Sequence, residues 1–558
     1  MMSALSKAAI SLSLVFLAAC STIGQREKAA APSKPNMLVI LLDDMGFSDL
    51  GLMGSEIRTP VIDALASRGR VFTQYYTYPR CSPTRAAFLT GRYPHEVGLA
   101  FLTTPAGADV PKGPYQGYLD KGAPTLAERL RPLGYHTYLS GKWHLGEGRE
   151  NWPVERGFDR YFGLISGASS YWELLWEGKR KRTIALDGNA WTPPSSGFYM
   201  TDAITDRAME FIDQGLEEPV RRPFFLYLAY TAPHWPLHAP EADVKTYDHV
   251  YDDGWEAVRD RRIAALKRLG YIDRAAAAAP IPEAVGRWSE QSQTAKTDWI
   301  RKMQVYAAMI SHADRQIGRV IEELRRRGEL NNTLVMIFSD NGASAETVEG
   351  RDLNNPAVPV GQKGSYVAYG PRGAFLSSAP LHGNKVTTWE GGIRSPLIVS
   401  WPAGMRDGGR NDLRSVLSVL DLAPTLLELG GGDSAAISSF EGRNVADVLF
   451  KNGRLPDRAL YWEHLGWRAV REGQWKIVSE PKSKQWRLFD LISDPAETSD
   501  LAVRDPSKVA ELKADWQRWA ERVGATATPP PDEVMLKLFP EMKAKDVASW
   551  TLPQVISC

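Results

Sequence analysis

The sequence predicts a large layered α/β domain followed by a small antiparallel sheet, and three observations carry that expectation. Short unbroken apolar runs recur without polar alternation, the mark of strands buried on both faces of a parallel sheet. Segments of helical period lie between them. From about residue 455 the character changes to short tryptophan-bearing segments separated by turns.

In chain order, Met37 to Leu42 is the first apolar run, Phe224 to Tyr230 the second and Thr333 to Ser339 the third, with a shorter one at Leu397 to Val399. Helical patterns cover Pro124 to Leu133, Thr201 to Ile212 and Met303 to Arg327; the last places Ile310, Ile317, Val320, Ile321 and Leu324 near a 3.6-residue repeat. Residues 241–300 are charged, carry Ala275 to Ala279 and two prolines, and read as an excursion over the surface. Residues 342–384, rich in Gly, Asn and Pro, read as a long loop. Ala459–Trp462, Trp467–Arg471, Trp475–Val478 and Trp486–Asp490 form the small sheet, followed by a helix over Ser507 to Val523 and a tail. No internal repeat is present.

The N-terminus has Lys7, an apolar stretch to Phe16 and then Leu17-Ala18-Ala19-Cys20. That is the layout of a secretory signal, and it falls short of the roughly 20 apolar residues a membrane span takes. The ending resembles the lipobox of bacterial lipoproteins, which implies lipidation of Cys20 as the chain's membrane contact. Ser21 behind it favours the outer membrane of a Gram-negative-type bacterium, with a periplasmic protein as the alternative. Sixty-seven basic against 66 acidic residues give a net charge of +1, so the chain carries no nucleic-acid footprint. Cysteine occurs only as Cys20, Cys81 and Cys558, which leaves no disulfide framework and no evident partner for Cys81.

The first three apolar runs end in Asp43-Asp44, Pro233-His234 and Asp340-Asn341. In open α/β sheets ligands sit outside the carboxyl ends of the strands, so residues distant in sequence converge on one rim. Asp43, Asp44, Asp340 and Asn341 offer only oxygens. Adjacent carboxylates raise each other's pKa unless a cation intervenes, and an all-oxygen set suits a hard cation, calcium before zinc. Helix capping or a solvated turn is the plainer use of an Asp-Asp pair. Arg85, Lys142, His144, His234 and Lys385 add basic groups suited to an oxygen-rich anion, although each alone has an ordinary structural use.

The chain resembles the formylglycine-dependent sulfatase family of the alkaline-phosphatase-like superfamily, nearest to its bacterial arylsulfatases. Cys81-Ser82-Pro83-Thr84-Arg85, continued by Leu89-Thr90-Gly91-Arg92, is similar to the signature whose cysteine becomes 3-oxoalanine (formylglycine). Gly141-Lys142-Trp143-His144-Leu145-Gly146, Thr231 to Pro236 and Phe338 to Gly342 are similar to further family motifs. The likeness runs from about Asn36 to about Leu501. It implies an alkaline-phosphatase-like, mostly parallel mixed sheet flanked by helices. The implied division is a signal at 1–20, a tether at 21–35, a catalytic domain at 36–454 and a C-terminal unit at 455–558. It further implies one Ca2+ held by Asp43, Asp44, Asp340, Asn341 and the modified residue 81, with Arg85 orienting that residue. Lys142, His144, His234 and Lys385 surround the sulfate and the leaving group. The hydrated aldehyde supplies one hydroxyl to attack sulfur and a second to be deprotonated afterwards, with a carboxylate such as Asp340 and then His144 as bases.

The implied reaction is hydrolysis of a small sulfate monoester, aryl sulfates first, in a protein matured by a formylglycine-generating enzyme. Tyr171, Trp172, Trp176, Tyr199, Trp235, Tyr366 and Trp389 are candidate flat surfaces for an aromatic alcohol, with sugar rings or core packing as equal uses. The alternatives are a carbohydrate or alkyl sulfatase, a phosphonate monoester or phosphodiester hydrolase of the same superfamily, and a lipid-tethered protein that binds sulfated glycans without turnover.

Overall fold

In the computed structural model the described residues are 34–177, 180–349, 353–405, 411–451, 453–481, 483 and 485–526, the side chains of 176–181 excepted. The readings made of Cys20, Cys558 and the C-terminal tail lie outside them, as does the Trp176 side chain.

Sixteen strands are present among these residues: β1 (Asn36–Leu42), β2 (Arg70–Tyr76), β3 (His136–Gly141), β4 (Arg160–Leu164), β5 (Trp176–Glu177), β6 (Arg180–Lys181), β7 (Ile184–Leu186), β8 (Asn189–Trp191), β9 (Phe224–Ala229), β10 (Thr333–Ser339), β11 (Arg394–Ser400), β12 (Leu417–Ser418), β13 (Ala459–His464), β14 (Trp467–Glu472), β15 (Trp475–Ser479) and β16 (Arg487–Asp490). Ten form one sheet in the order β12-β2-β11-β10-β1-β9-β3-β4-β7-β8. Its centre, β10-β1-β9-β3-β4, is parallel. Antiparallel pairs flank that centre on both sides. The sheet is therefore mixed and parallel where the long apolar runs lie.

The period-2 geometry of a strand sends alternate side chains to opposite faces. In β1, Met37, Val39 and Leu41 enter one hydrophobic core, and Leu38, Ile40 and Leu42 enter the other. The second core lies under the helices Met200–Leu216 and Gln293–Arg326. The first core runs on into the four-stranded sheet β13-β14-β15-β16 and the helix Pro506–Val523. Among the described residues no helix is long and apolar enough to cross a membrane.

Several elements differ from expectation. The run at Leu397 is a strand, but antiparallel to β10, because an apolar run reports burial and not direction. Strands β2, β3 and β4 were not foreseen, since Arg70, His136 and Arg160 interrupt or open them. The helix over Met303 begins ten residues earlier, at Gln293, where Ser292 caps it by accepting from the Ala295 N–H. Residues 241–300 are not a mere surface excursion. Their helix Gly254–Leu269 buries Trp255, Val258 and Leu266, and Arg262 reaches Asp49 at 2.6 Å and Glu56 at 2.7 Å. The buried face carries arginines, which hid the apolar period. Within the loop 342–384 the described residues include a helix, Gly370–Ser377.

Candidate active site

The carboxyl ends of β1, β9, β10 and β3 meet at one rim, and the chain is stitched there by its own backbone. The N–H of Asp43 donates to Ala232 O, that of Asp340 to Leu42 O and that of Lys142 to Ala229 O. Gly141 at the end of β3 is needed for this approach: with φ at 126°, any Cβ would lie 1.8 Å from Ala229 O. Three of the seven non-glycine residues with positive φ among the described residues, Asp44, His144 and Val386, stand at the rim or beside Lys385. Backbone strain of that kind concentrates at functional sites.

Cys81 begins the fully buried helix Cys81–Thr90, so it lies at the positive end of the helix dipole and Arg85 follows one turn later on the same face. Ligand atoms of Asp43, Asp44, Cys81 and His234 all lie within 4.8 Å of one another, and all four residues are buried. Asp340 is outside that foursome. Its Oδ1 accepts the Asp44 N–H at 3.2 Å, and its Oδ2 accepts Arg85 Nε and Nη2 at 3.0 and 2.8 Å. Arg85 also donates to the Lys142 carbonyl at 2.8 Å, so it is braced from two sides. Asn341 Nδ2 donates to Asp44 Oδ1 at 2.6 Å.

Lysines close the ring. Lys142 Nζ sits 2.6 Å from Asp43 Oδ2, with both side chains wholly buried. Lys385 Nζ lies 2.8 Å from Asp44 Oδ2 and 3.3 Å from His234 Nε2. His234 Nδ1 is 2.6 Å from Trp235 O, which makes Nδ1 the protonated nitrogen of the neutral ring and turns Nε2 toward Lys385. His144 is buried with its Nδ1 unpartnered among the described residues. The structure thus brings together all ten residues singled out from the sequence.

The electrostatics describe a site shaped for added charge. Burial, then repulsion from Asp340, pushes the Asp43 carboxyl up to about 7. Burial, then the lysines, pushes His234 and His144 well below the ordinary histidine value, with Lys385 foremost at His234 and Lys142 at His144. Burial also pushes the Cys81 thiol far up, which favours its protonated form in the cation-free site. The Oδ1 atoms of Asp43 and Asn341 are buried without a partner. Orphaned buried oxygens beside paired carboxylates fit a hard cation.

One residue of the site was missed. Glu346 is buried beside Lys385, with its Oε2 3.0 Å from Nζ. Its only signal in the sequence is an acidic residue in the small-residue stretch just after Asp340-Asn341. Several expected flat surfaces are buried, although the Tyr171 hydroxyl donates to the His234 carbonyl at 2.9 Å. Tyr171 and Tyr199 are buried in the helix-side core, and Trp389 is buried with its ring stacked on His382 at 4.3 Å. Trp235 stays beside the site.

A family model described as Sulfatase matches residues 35–432, more than half of the chain. The chain belongs to the sulfatase family. A second model, N-sulphoglucosamine sulphohydrolase, C-terminal, matches residues 382–522 of this sulfatase. It is 34% identical over 547 residues to an uncharacterized sulfatase of Schizosaccharomyces pombe, covering 90% of this chain and 96% of that one. It is 36% identical over 420 residues to an arylsulfatase of Klebsiella aerogenes, covering 73% and 88%. The crystal structure of Ps i-CgsB in complex with k-i-k-neocarrahexaose superposes with a TM-score of 0.67 at 24% identity, over 93% of this chain and 100% of that one, which shows the shared fold. The family makes this chain a sulfate-ester hydrolase, and the buried Asp-Asp-Cys-His cluster at the sheet rim is consistent with its active site.

Proposed function

We propose that this sulfatase hydrolyses sulfate monoesters of carbohydrate alcohols, with Cys81 converted to formylglycine and Ca2+ at the rim. The observation that carries the reading is the meeting of Asp43, Asp44, Cys81 and His234 within 4.8 Å, ringed by Arg85, Lys142 and Lys385. The carbohydrate class is favoured by the N-sulphoglucosamine sulphohydrolase match in the C-terminal part. It is favoured also by the loss of Tyr171, Tyr199 and Trp389 to the core, which leaves no aromatic slot made of them. Aryl sulfates are the second reading, supported by the 36% identity to an arylsulfatase.

When bound, a divalent cation acidifies an oxygen ligand and screens sulfate charge. Asp43, Asp44, Asp340 and Asn341 are the residues to hold it, together with the oxygen that replaces the Cys81 thiol. Conversion to the aldehyde, followed by addition of water across its carbonyl, would supply what the protonated thiol lacks: one hydroxyl to attack sulfur and a second whose deprotonation expels sulfate as the aldehyde re-forms. Arg85, fixed by Asp340 and the Lys142 carbonyl, orients residue 81. Lys142 and Lys385 bind sulfate oxygens as negative charge develops. His234 Nε2 and Lys385 Nζ face the departing alcohol oxygen. His144, held neutral, is able to accept a proton in the release step. Asp340 is turned toward Arg85, so its first service is to hold that guanidinium. Maturation would call for a formylglycine-generating enzyme or an equivalent one. From the segment ending in Leu17-Ala18-Ala19-Cys20 we propose that the protein works outside the cytoplasm, anchored by lipid.

The test is sulfate release from a sugar sulfate, an aryl sulfate and an aryl phosphonate monoester, using protein whose peptide mass confirms conversion at position 81. Preference for the sugar ester is expected. Preference for the aryl sulfate moves the assignment to the second reading, and preference for the phosphonate overturns the sulfate reading.

A further inference from the structure

One buried carboxylate beside the site takes part in none of the steps above. Glu346 is only 9% exposed, and glutamate is rarely buried unless paired. Its Oε1 lies 3.0 Å from Nη2 of Arg80, the residue before Cys81. Its Oε2 lies 3.0 Å from Lys385 Nζ and accepts Trp235 Nε1–H at 2.9 Å and Ser344 Oγ–H at 3.1 Å. Burial opposes its charge, but Lys385, Arg80 and His234 together hold its carboxyl well below the usual carboxylate range. It is therefore a fixed anion beside Lys385, held between that lysine and Arg80.

Its partners make that anion informative. Lys385 Nζ is shared between Glu346 and Asp44, with separations of 3.0 and 2.8 Å. Trp235 follows His234 directly, their ring centroids 4.4 Å apart. The half-buried Trp235 ring packs with Val348 and Tyr366 in a small apolar cluster separate from both main cores. Glu346 thus joins a flat apolar surface, through one carboxylate oxygen, to the lysine that faces the leaving group.

We propose that Glu346 is a positioning residue for the leaving-group side, setting Lys385 and Trp235 as one unit that favours esters of ring-bearing alcohols of high pKa. The proposal rests on the sulfatase reading and on the leaving-group role of Lys385. A poor leaving group departs with nearly a full negative charge on oxygen, so a lysine held at that oxygen matters most there. An activated phenol carries its own charge and needs little help. Without the Glu346 charge, Lys385 Nζ is drawn onto Asp44 alone and away from the ring surface, and Trp235 loses the acceptor that fixes its indole.

The experiment compares kcat/KM for a sugar 6-sulfate and for 4-nitrophenyl sulfate, using wild type, Glu346→Gln, Glu346→Asp and Trp235→Phe with conversion at position 81 verified by peptide mass. Glu346→Gln is expected to lose about 100-fold on the sugar sulfate and less than about 10-fold on the aryl ester. Glu346→Asp is expected to recover part of the difference. Trp235→Phe keeps a ring but no N–H, and is expected to shift the same ratio in the same direction, through KM more than kcat. Equal losses on both esters, with an unchanged ratio, overturn the proposal and leave Glu346 a structural residue. If Glu346→Gln does not fold, the ratio in Trp235→Phe decides alone. Failure of the wild type to release sulfate from either ester sinks the sulfatase reading itself, whereas an active wild type with unselective variants sinks only this inference.

Discussion

Two of the buried ionic clusters among the described residues are built to opposite ends. At the seam between the sheets, Lys476 of β15 stands 2.9 Å from Glu390 and 2.8 Å from Glu497, all wholly buried. Tyr76 donates to Glu390 at 2.6 Å, the Glu390 N–H donates to Glu497 at 2.7 Å, and Arg394 and Arg471 complete the shell. At the rim, Lys142, Lys385 and Arg85 face Asp43, Asp44 and Asp340, but Asp43 Oδ1 and Asn341 Oδ1 are left without partners. At the seam, Glu497 Oε1 also lacks a hydrogen bond, but Lys476 Nζ stands 2.8 Å from it, so each buried carboxylate there has a cation beside it and the cluster ties two sheets together. At the rim the pairings to Lys142 and Arg85 run through Asp43 Oδ2, and Asp43 Oδ1 and Asn341 Oδ1 have no hydrogen-bond partner among the described residues, which leaves oxygens able to take a cation. Charge compensation, more than burial, separates a structural ion cluster from a functional one.

The largest effect that sharpens this contrast is chemical. Cys81→Ala removes the nucleophile and is expected to cut sulfate release by at least about 10^4-fold while shifting thermal unfolding little. Next comes the seam. Lys476→Met removes the cation shared by the buried Glu390–Glu497 pair and is expected to cost about 3–5 kcal/mol in urea unfolding; a loss below about 1 kcal/mol would contradict the account of a charge-compensated structural cluster. At the rim a chelator is expected to lower Tm, since a cation at a hundredfold excess over its Kd stabilises by about 2.7 kcal/mol. The cation-free Asp43 carboxyl is raised from 3.8 to about 7. Cation-free protein therefore loses stability as pH rises from about 4 through 7, and the gain from added Ca2+ is larger at pH 8 than at pH 6. A gain independent of pH would break the assignment of Asp43 as a ligand.

The smallest effect returns to the seam. Burial, then Lys476 and Glu390 in opposing senses, leaves Glu497 at about 7, while Glu390 is held down to about 2 against its own burial by Lys476. The pair keeps a proton on the Glu497 side, so its contribution falls as pH rises from about 4.5 through 7. Glu497→Gln, whose carbonyl still accepts from the Glu390 N–H, is expected to stay within about 1 kcal/mol of wild type and to flatten that slope. Glu390→Gln is expected to destabilise clearly, and reversal of the order would contradict the proton's placement.

Much of the rim was legible because strand ends announce themselves. An apolar run that stops at Asp43-Asp44 or Asp340-Asn341 states both where the strand ends and what stands there. The C-terminal strands were legible for a related reason, each carrying a tryptophan or aromatic pair between turns. What escaped notice was long-range pairing. Glu346 sits in a loop of small residues, and its role depends on Arg80, Trp235 and Lys385, none of them near in sequence. Arg262, buried against Asp49 and Glu56, reads as a surface charge on a polar helix until its partners are known. The flat surfaces failed in the other direction: Tyr171, Tyr199 and Trp389 are aromatic because the cores around the rim are large, and composition alone does not distinguish a pocket wall from a filled core.

The most direct test of the central claim is sulfate release per chain, measured across preparations that differ in the fraction of residue 81 converted, with that fraction read from the mass of the peptide that begins at Cys81. Turnover proportional to the converted fraction, extrapolating to none at zero conversion, is the predicted result. Turnover independent of conversion would show that the thiol or another group carries the reaction and would contradict the account.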